Sequence, residues 1–337
     1  MMEFEKTQKG KVRLYSCGGA GSNIGGLLEK HRNTDEIGFS LLDIVYIDTS
    51  KSNFKQHIDK SNAYLIESNS GESLDGSGKV RKENHEEIND RIKAILQQFK
   101  PADLNIVLSS ASGGSGSVIG PLLTRELLST GVPTVVLTVG SADTRLDVDN
   151  TLKTIKSYES IAKKADAPVV MAYIQNSQTT SRAEADSMML NIILSLSVLF
   201  SRHNHELDSK DLSNWLRFNK VTTFPVQLAS LTILENQKPI DNIGSIISVA
   251  TLATEGTSTT LLDMPEYQCV GFIPENIGDV VSKKVPMHFI ISDGIVPDIT
   301  RHLQKILTKL EEAQAARVRK VSILSNTDKQ EDSGLVL

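Results

Sequence analysis

Ser110-Ala111-Ser112-Gly113-Gly114-Ser115-Gly116-Ser117 places three glycines and four hydroxyl side chains in eight residues. An apolar, β-rich run at 104–108 precedes it, and a helical pattern from about 118 to 128 follows. A glycine turn between a strand and a helix lets backbone N–H groups approach an anion closely, while the helix N-terminus adds partial positive charge. Serine hydroxyls remain for phosphate oxygens or metal-bound water. A flexible Gly/Ser turn is the plain alternative, and the strand and helix flanks favour a phosphate loop.

A second such junction lies upstream, Cys17-Gly18-Gly19-Ala20-Gly21-Ser22-Asn23, between a strand at 12–16 and a helix at 23–30. No Gly-x-Gly-x-x-Gly register fits it, which weakens a dinucleotide fold. The chain also has no Gly-Lys-Ser/Thr of the Walker type. Two loops of this kind would face one ligand.

Outward from the loops, strands at 42–47, 104–108, 134–139 and 169–174 alternate with helices at 86–99, 118–128 and 150–164, the pattern of a parallel sheet covered on both faces. Loops after the carboxyl ends of such strands are where ligands bind. An apolar helix at 182–200 connects to β-rich runs at 226–233, 246–252, 268–273 and 287–291 and a helix at 297–316, an α+β second domain. The fold class is α/β, with a Rossmann-like parallel sheet, a central helix and an α+β C-terminal part. Residues 325–337 carry Asp328, Glu331 and Asp332 without helical or strand period and read as an acidic tail.

With 337 residues, 39% hydrophobic and 23% charged, the chain suits two globular domains and excludes collagen-like or disordered classes. The net charge of −5 leaves a nucleic-acid role resting on a local basic patch, and the sequence shows none of useful size. Two distant cysteines, Cys17 and Cys269, suggest neither metal knuckle nor redox motif and fit a reducing cytoplasm. The start lacks the pattern of a signal peptide, and the apolar stretch 188–200 is too short and too polar to span a bilayer, so no membrane contact is expected.

Ser112-Gly113-Gly114-Ser115-Gly116-Ser117 resembles the tubulin signature GGGTG[ST]G, with Ser112 in place of its first glycine. The first loop resembles the first phosphate loop of the tubulin/FtsZ superfamily, Asn23 included, and Ser141-Ala142-Asp143-Thr144-Arg145-Leu146-Asp147-Val148-Asp149-Asn150-Thr151-Leu152 resembles the tubulin segment SDTVVEPYNATL. The resemblance implies a polymerising GTPase that binds GTP or GDP with Mg²⁺, the metal held mainly through phosphates and water and its protein ligands unknown. It assigns Asp147 to the ribose; the plain alternative is that Asp143, Asp147 and Asp149 are helix-capping acids. Ile47-Asp48-Thr49-Ser50 resembles the loop near the α-phosphate and metal. Asp75-Gly76-Ser77-Gly78-Lys79 takes the place of the γ-phosphate loop, with Lys79 as a point charge. Asn176 matches a nucleotide-contacting asparagine. Where the family reads guanine with an asparagine, Asp186 stands nearest, with Asn191 as competitor. Glu206-Leu207-Asp208-Ser209-Lys210-Asp211-Leu212 resembles the family's N-x-D-x-x-[DE] loop, Glu206 replacing asparagine. There Asp208 and Asp211 would act on the nucleotide of the next subunit in a head-to-tail filament.

On this resemblance residues 1–180 form the GTP-binding domain, 181–219 the core helix and catalytic loop, 220–324 the C-terminal activation domain and 325–337 the tail. Within the superfamily the chain looks most like the phage tubulins (PhuZ) of nucleus-forming bacteriophages. That branch implies dynamic filaments that position phage cargo in the host bacterial cytoplasm and an acidic tail docked on a neighbouring subunit. A plasmid-partition tubulin or divergent FtsZ is the alternative in the same class; a non-polymerising nucleotide-binding enzyme is the alternative outside it.

Overall fold

The computed structural model describes residues 9–34, 36–54, 58–68, 70, 74–177, 179–235, 244–259, 264–274 and 279–315. The first half runs β1 (Lys11–Cys17), α1 (Gly18–Leu27), β2 (Leu41–Asp48), β3 (Ala63–Leu65), α2 (His85–Gln98), β4 (Leu104–Ser110), α3 (Gly116–Ser129), β5 (Thr134–Ser141), α4 (Arg145–Ala165) and β6 (Val169–Asn176). After the long helix α5 (Arg182–Leu199) come α6 (Ser209–Leu216), β7 (Leu228–Glu235), β8 (Ile246–Ala253), β9 (Tyr267–Phe272), α7 (Asp279–Ser282), β10 (Met287–Ser292) and α8 (Ile295–Ala315).

These strands make one sheet in the order β3-β2-β1-β4-β5-β6-β7-β10-β8-β9. From β3 to β7 every pairing is parallel; β10 runs antiparallel to β7 and β8, and β9 is parallel to β8. The two halves expected from the sequence therefore share a sheet, joined where Val169–Met171 pairs with Leu228–Ser230.

Why the first strands read as unbroken apolar runs is visible in their alternation. Val12 and Leu14, Ile44 and Tyr46, and Leu104, Ile106 and Leu108 face one core with residues of α1 and α5. Tyr15 and Cys17, Val45 and Ile47, and Val107 face the other, under α2 and α3. Successive side chains point to opposite faces, so a sheet buried on both sides needs apolar residues at every position. Helix α5 starts at a capping box, Ser181 with Glu184, and buries Ala185, Met189, Ile193 and Leu196 at helical spacing. In the C-terminal half Trp215 donates Nε1–H to the Phe289 carbonyl at 3.1 Å and packs edge-on against its ring, anchoring α6 to β10.

Two helices begin five residues before their sequence expectation, at Gly18 rather than 23 and at Arg145 rather than 150. Glycines and acids in a first turn look like loop, yet an acid there complements the helix dipole and glycine there can serve ligand approach. β3 escaped the sequence reading because it has only three residues. The tail acids Asp328, Glu331 and Asp332 lie outside the described residues.

Candidate functional site

Cys17, Asp48, Ser110, Ser141 and Asn176 are the last residues of β1, β2, β4, β5 and β6. All five line one cleft of about 410 Å³ at the carboxyl edge of the parallel sheet. The cleft also takes in Gly18, Gly19 and Ala20 of the first loop, Gly76, Ser77, Gly78 and Lys79, Ser112, Gly113, Gly114, Ser115 and Gly116 of the second loop, and Asp143, Asp147 and Asp186.

The two glycine loops touch. Gly18 has φ +73°, and a Cβ there would stand 2.8 Å from the Cα and N of Gly116; a Cβ on Gly116 would stand 2.9 Å from the Cys17 carbonyl. Only a pair of glycines permits this approach, which brings the start of α1 and the start of α3 to one point. Both helix N-termini then offer unpaired N–H groups there. Cross-links hold the rim in place. Thr49 Oγ1 and Ser115 Oγ are 2.6 Å apart, Asn150 Nδ2 donates to the carbonyls of Lys79 (2.9 Å) and Ser112 (3.2 Å), and Asn84 Nδ2 donates to Gly76 O at 2.8 Å. Ser77 Oγ is buried with no hydrogen-bond partner among the described residues. It lines the cleft, and a buried hydroxyl without a partner is costly, so an anionic oxygen there would satisfy it.

Four acids, Asp48, Asp143, Asp147 and Asp186, and two cations, Lys79 and Arg182, line the cleft. Lys79 Nζ lies 2.6 Å from Asp147 Oδ1, so its charge is already paired. Thr144, the N-cap of α4, donates Oγ1–H to Asp147 Oδ2 at 2.7 Å and accepts from the Asp147 N–H. Asp147 is thus a first-turn acid of the capped helix and a wall of the cleft at once. Asp48 accepts from Asn53 Nδ2 (2.7 Å) and from the N–H groups of Thr49 and Ser50, yet burial pushes its carboxyl above the usual carboxylate range. Burial also raises Asp186, against the opposing pull of Arg182, and drives the Cys17 thiol well up, which makes it inert at neutral pH.

Residues 11–178 match the GTPase domain of the Tubulin/FtsZ family, and residues 207–295 match the C-terminal domain of phage tubulin-like proteins. The chain belongs to the tubulin/FtsZ family. Its phage tubulin-like branch follows from the second match and from the relatives. A phage tubulin-like protein of Pseudomonas phage phiKZ is 29% identical over 335 residues, 97% of this chain and 98% of that protein. The one of Pseudomonas phage PhiPA3 is 28% identical over 330 residues, 98% and 99% of the two chains. Among solved structures, a protofilament of TubZ from Bacteriophage PhiKZ superposes with a TM-score of 0.84 at 29% identity, covering 97% of this chain and 99% of that one. A GDP complex of the phage tubulin PhuZ gives 0.81 at 25% identity, with the same coverage. As a phage tubulin the chain is a GTP-hydrolysing, filament-forming protein, and the cleft is its candidate guanine-nucleotide site.

Some expected residues fall outside the cleft lining. Gly21, Ser22 and Asn23 lie deeper in α1; a Cβ on Gly21 would stand 2.8 Å from the Leu108 carbonyl, so this glycine serves the packing of α1 on β4. Thr49 touches the lining through Ser115 and Asp48, and Ser117 is fully buried, its hydroxyl donating to Gly114 O at 2.8 Å. Asn191 lines a separate cleft with Ser195, Glu235 and Lys284, whereas Asp186 lines this one. Asn53 and Arg182 line the nucleotide cleft and were missed by sequence reasoning. Arg182 opens the helix that carries Asp186 and could have been found from that proximity; Asn53 sits in a single 3₁₀ turn without a pattern.

Asp208 and Asp211 stand elsewhere: Asp208 lines a hollow shared with Ala102, Asp103 and Pro133, residues that precede β4 and β5, and Asp211 follows it in the first turn of α6. That is the amino edge of the sheet, about 20–25 Å from the cleft, the length of a seven-residue strand. Asp208 caps α6, accepting from the N–H groups of Lys210 (2.7 Å) and Asp211 (2.9 Å), while Asp211 Oδ2 accepts from Asp208 N–H at 3.1 Å. These backbone donors, Asp211's first, hold the Asp208 carboxyl below its ordinary value. No described helix is long and apolar enough to cross a membrane.

Proposed function

We propose that GTP fills the cleft at the carboxyl edge of the sheet, and that Asp208 and Asp211 of the next subunit complete the site, so that assembly switches on hydrolysis. The observation that carries this reading is the separation of the two parts: the glycine-lined cleft lies at one edge of the sheet and the acidic pair Asp208 and Asp211, at least partly exposed, at the other. No single chain can bring them together, but a head-to-tail copy can. The exposed Val80 and Leu146, next to the cleft residues Lys79 and Asp147, supply apolar surface for such a contact.

In this reading backbone N–H groups of residues 18–20 and 112–116 hold the phosphates, with the Ser77 hydroxyl as a further donor. Asp147 takes a ribose hydroxyl, Asn176 contacts the nucleoside, and Asp186 accepts from N1–H and the 2-amino group of guanine. Mg²⁺ would neutralise phosphate charge, held by phosphate oxygens and water, since no cluster of three or more His, Cys, Asp or Glu that could hold a metal occurs among the described residues. The acids of the incoming subunit orient the attacking water and accept its proton. Residues 1–180, 181–219 and 220–324 would serve as nucleotide domain, core helix with catalytic loop, and activation domain. Kinship with proteins of Pseudomonas phages supports a role in positioning phage cargo in the host cytoplasm, with tail acids Asp328, Glu331 and Asp332 reaching a neighbouring subunit. GTP turnover per subunit, measured against protein concentration, should rise steeply through the assembly range; a flat rate refutes the shared site.

A further inference from the structure

Tyr267 opens β9, the edge strand, in register with Ser248 of β8. Tyr267 and Cys269, two residues apart, share one face of the strand, and both meet Asp211. The Tyr267 hydroxyl donates to Asp211 Oδ1 at 3.3 Å and lies 3.5 Å from the Asp211 carbonyl oxygen, while Cys269 Sγ lies 4.0 Å from that same carbonyl. The other end of α6 is tied to the neighbouring strand, because Ser248 Oγ donates to the Trp215 carbonyl at 2.9 Å. Both ends of the helix are therefore anchored to β8 and β9, and Tyr267 supplies the anchor at the acidic end.

The two oxygens of Asp211 have different holders. Oδ2 accepts from the Asp208 N–H at 3.1 Å, a contact that belongs to the capping box and would form in any helix with this start. Oδ1 is met by Tyr267, 56 residues further along the chain, which the local cap does not require. With one oxygen held, a carboxylate still swings about its last side-chain bond, whose torsion is soft; held at both, it keeps one orientation. Each oxygen retains a second lone pair for water. Burial pushes both the Tyr267 hydroxyl and the Cys269 thiol up to about 12, so both stay protonated at neutral pH and Tyr267 is the donor.

We propose that Tyr267 is a positioning residue for GTP hydrolysis: its hydroxyl fixes the Asp211 carboxylate in the orientation in which it meets the attacking water on the neighbouring subunit. This rests on the shared site proposed for Asp208 and Asp211. A hydroxyl donated to the charged form of an acid favours that form, so Tyr267 also keeps Asp211 ionised and ready to accept a proton. A merely structural tyrosine would act through its ring, which packs at the margin of the main core. Tyr267→Phe keeps that packing and removes the hydroxyl alone.

The test compares the full chain with Tyr267→Phe, Asp211→Ala and the double variant, measuring GTP turnover per assembled subunit across the pH range in which carboxylates titrate. Tyr267→Phe should assemble like the parent with a GTP analogue that resists hydrolysis. Its turnover should fall roughly fivefold, the share of one hydrogen bond to a charged group at a partly exposed site. The acid limb of its pH profile should move to higher pH, since Asp211 loses a donor to its charged form. The titratable groups facing Asp211 are Asp208 and Lys210 on its own turn and Tyr267 and Cys269 on β9, and of these Asp208 alone shares that limb. The double variant separates the two acids: with Asp211 already Ala, Tyr267→Phe should change neither turnover nor profile. Normal turnover or an unmoved limb in Tyr267→Phe, loss of assembly, or an equal fall on both backgrounds each overturns the proposal. Full turnover in Asp211→Ala overturns the shared site and the proposal with it, whereas a defective Asp211→Ala beside a normal Tyr267→Phe overturns the proposal and leaves the shared site standing.

Discussion

Changing Gly18 to Ala tests whether the contact between the two glycine loops is what makes the cleft a phosphate site. A Cβ on Gly18 would meet the Cα and N of Gly116 at 2.8 Å, both backbone atoms that cannot rotate away. Ordinary contact needs about 3.5 Å, so the loops must part by about 0.7 Å. Gly18 also has φ +73°, where a Cβ costs about 1–2 kcal/mol. In the free protein the loop relaxes to escape both penalties, and bound nucleotide has to pull it back. The binding cost is then about 1 kcal/mol of backbone strain plus about 1.5 kcal/mol for one weakened charge-assisted N–H contact. Together these amount to a loss of affinity between tenfold and a hundredfold. Gly78 is the control: its φ is +53°, but no atom lies within 4 Å of the added Cβ. Gly78→Ala should weaken binding by no more than about fivefold, the strain alone. Titration calorimetry with GDP on unassembled protein measures both. Equal losses in the two variants would refute the argument, because strain without loop contact would then explain everything.

Four further outcomes follow from other residues. Glu206 holds φ +73° where a β-carbon is strained, so Glu206→Asn, a residue that tolerates this region, should raise Tm and stabilise by up to about 1 kcal/mol; an unchanged or lower Tm counts against it. Asp208→Asn keeps the cap of α6 and removes the charge, so it should leave Tm nearly unchanged while GTP turnover in filaments drops on the order of 100-fold, whereas Asp208→Ala also costs about 1 kcal/mol of stability; normal turnover in Asp208→Asn would remove this acid from the reaction. Asp186→Ala should erase the preference for GTP over ATP in competition binding with little effect on pyrophosphate, and a retained preference would return the base-reading role to another residue. Burial lowers the His288 pKa, so the unfolded chain binds the proton more readily than the native one. The stability due to neutral His288 is therefore complete above about pH 6.5 and is lost as pH falls from there toward the depressed native value. Urea midpoints at pH 7.5 and 5.5 should differ less in His288→Gln than in the parent, and an identical difference rules His288 out.

How much of this could be read from the sequence depends on whether a residue's partners are local. The parallel strands were legible because burial on both faces demands runs such as Leu104–Ser110, and the second phosphate loop because glycine density between strand and helix has few other uses. The extent of α1 and α4 was not, since Gly18 and Arg145 look like loop until the ligand-facing helix start is seen. The pairing of Lys79 with Asp147, 68 residues apart, had no signal in the chain. Nor had the groove in which Lys153, Lys156, Lys163 and Lys164 of α4 meet Arg81 and Arg125 from other segments. Asp186 and Asn191 could be separated only by the helix itself: five residues apart, they sit a turn and a half along α5 and face different clefts.

The acidic loop shows a further constraint that pattern alone did not carry. For an acid to polarise water on a neighbouring subunit, it must arrive already oriented, since reorganisation at the moment of contact would raise the barrier. The stretch before α6 meets that demand through contacts with the edge strand β9. His205 and Phe272 exchange backbone hydrogen bonds at 2.8 and 3.0 Å, and the Tyr267 hydroxyl donates to Asp211 Oδ1 at 3.3 Å. Gly271 makes the close approach possible, because a Cβ there would stand 2.7 Å from Asn204 Oδ1 and 2.8 Å from Leu207 Cβ. The strained φ of Glu206 belongs to the same arrangement: the chain turns sharply there to leave β9 and present Asp208 at the helix start. Strain and fixation in a segment that lies far from its own nucleotide make sense when the segment serves a site on another copy.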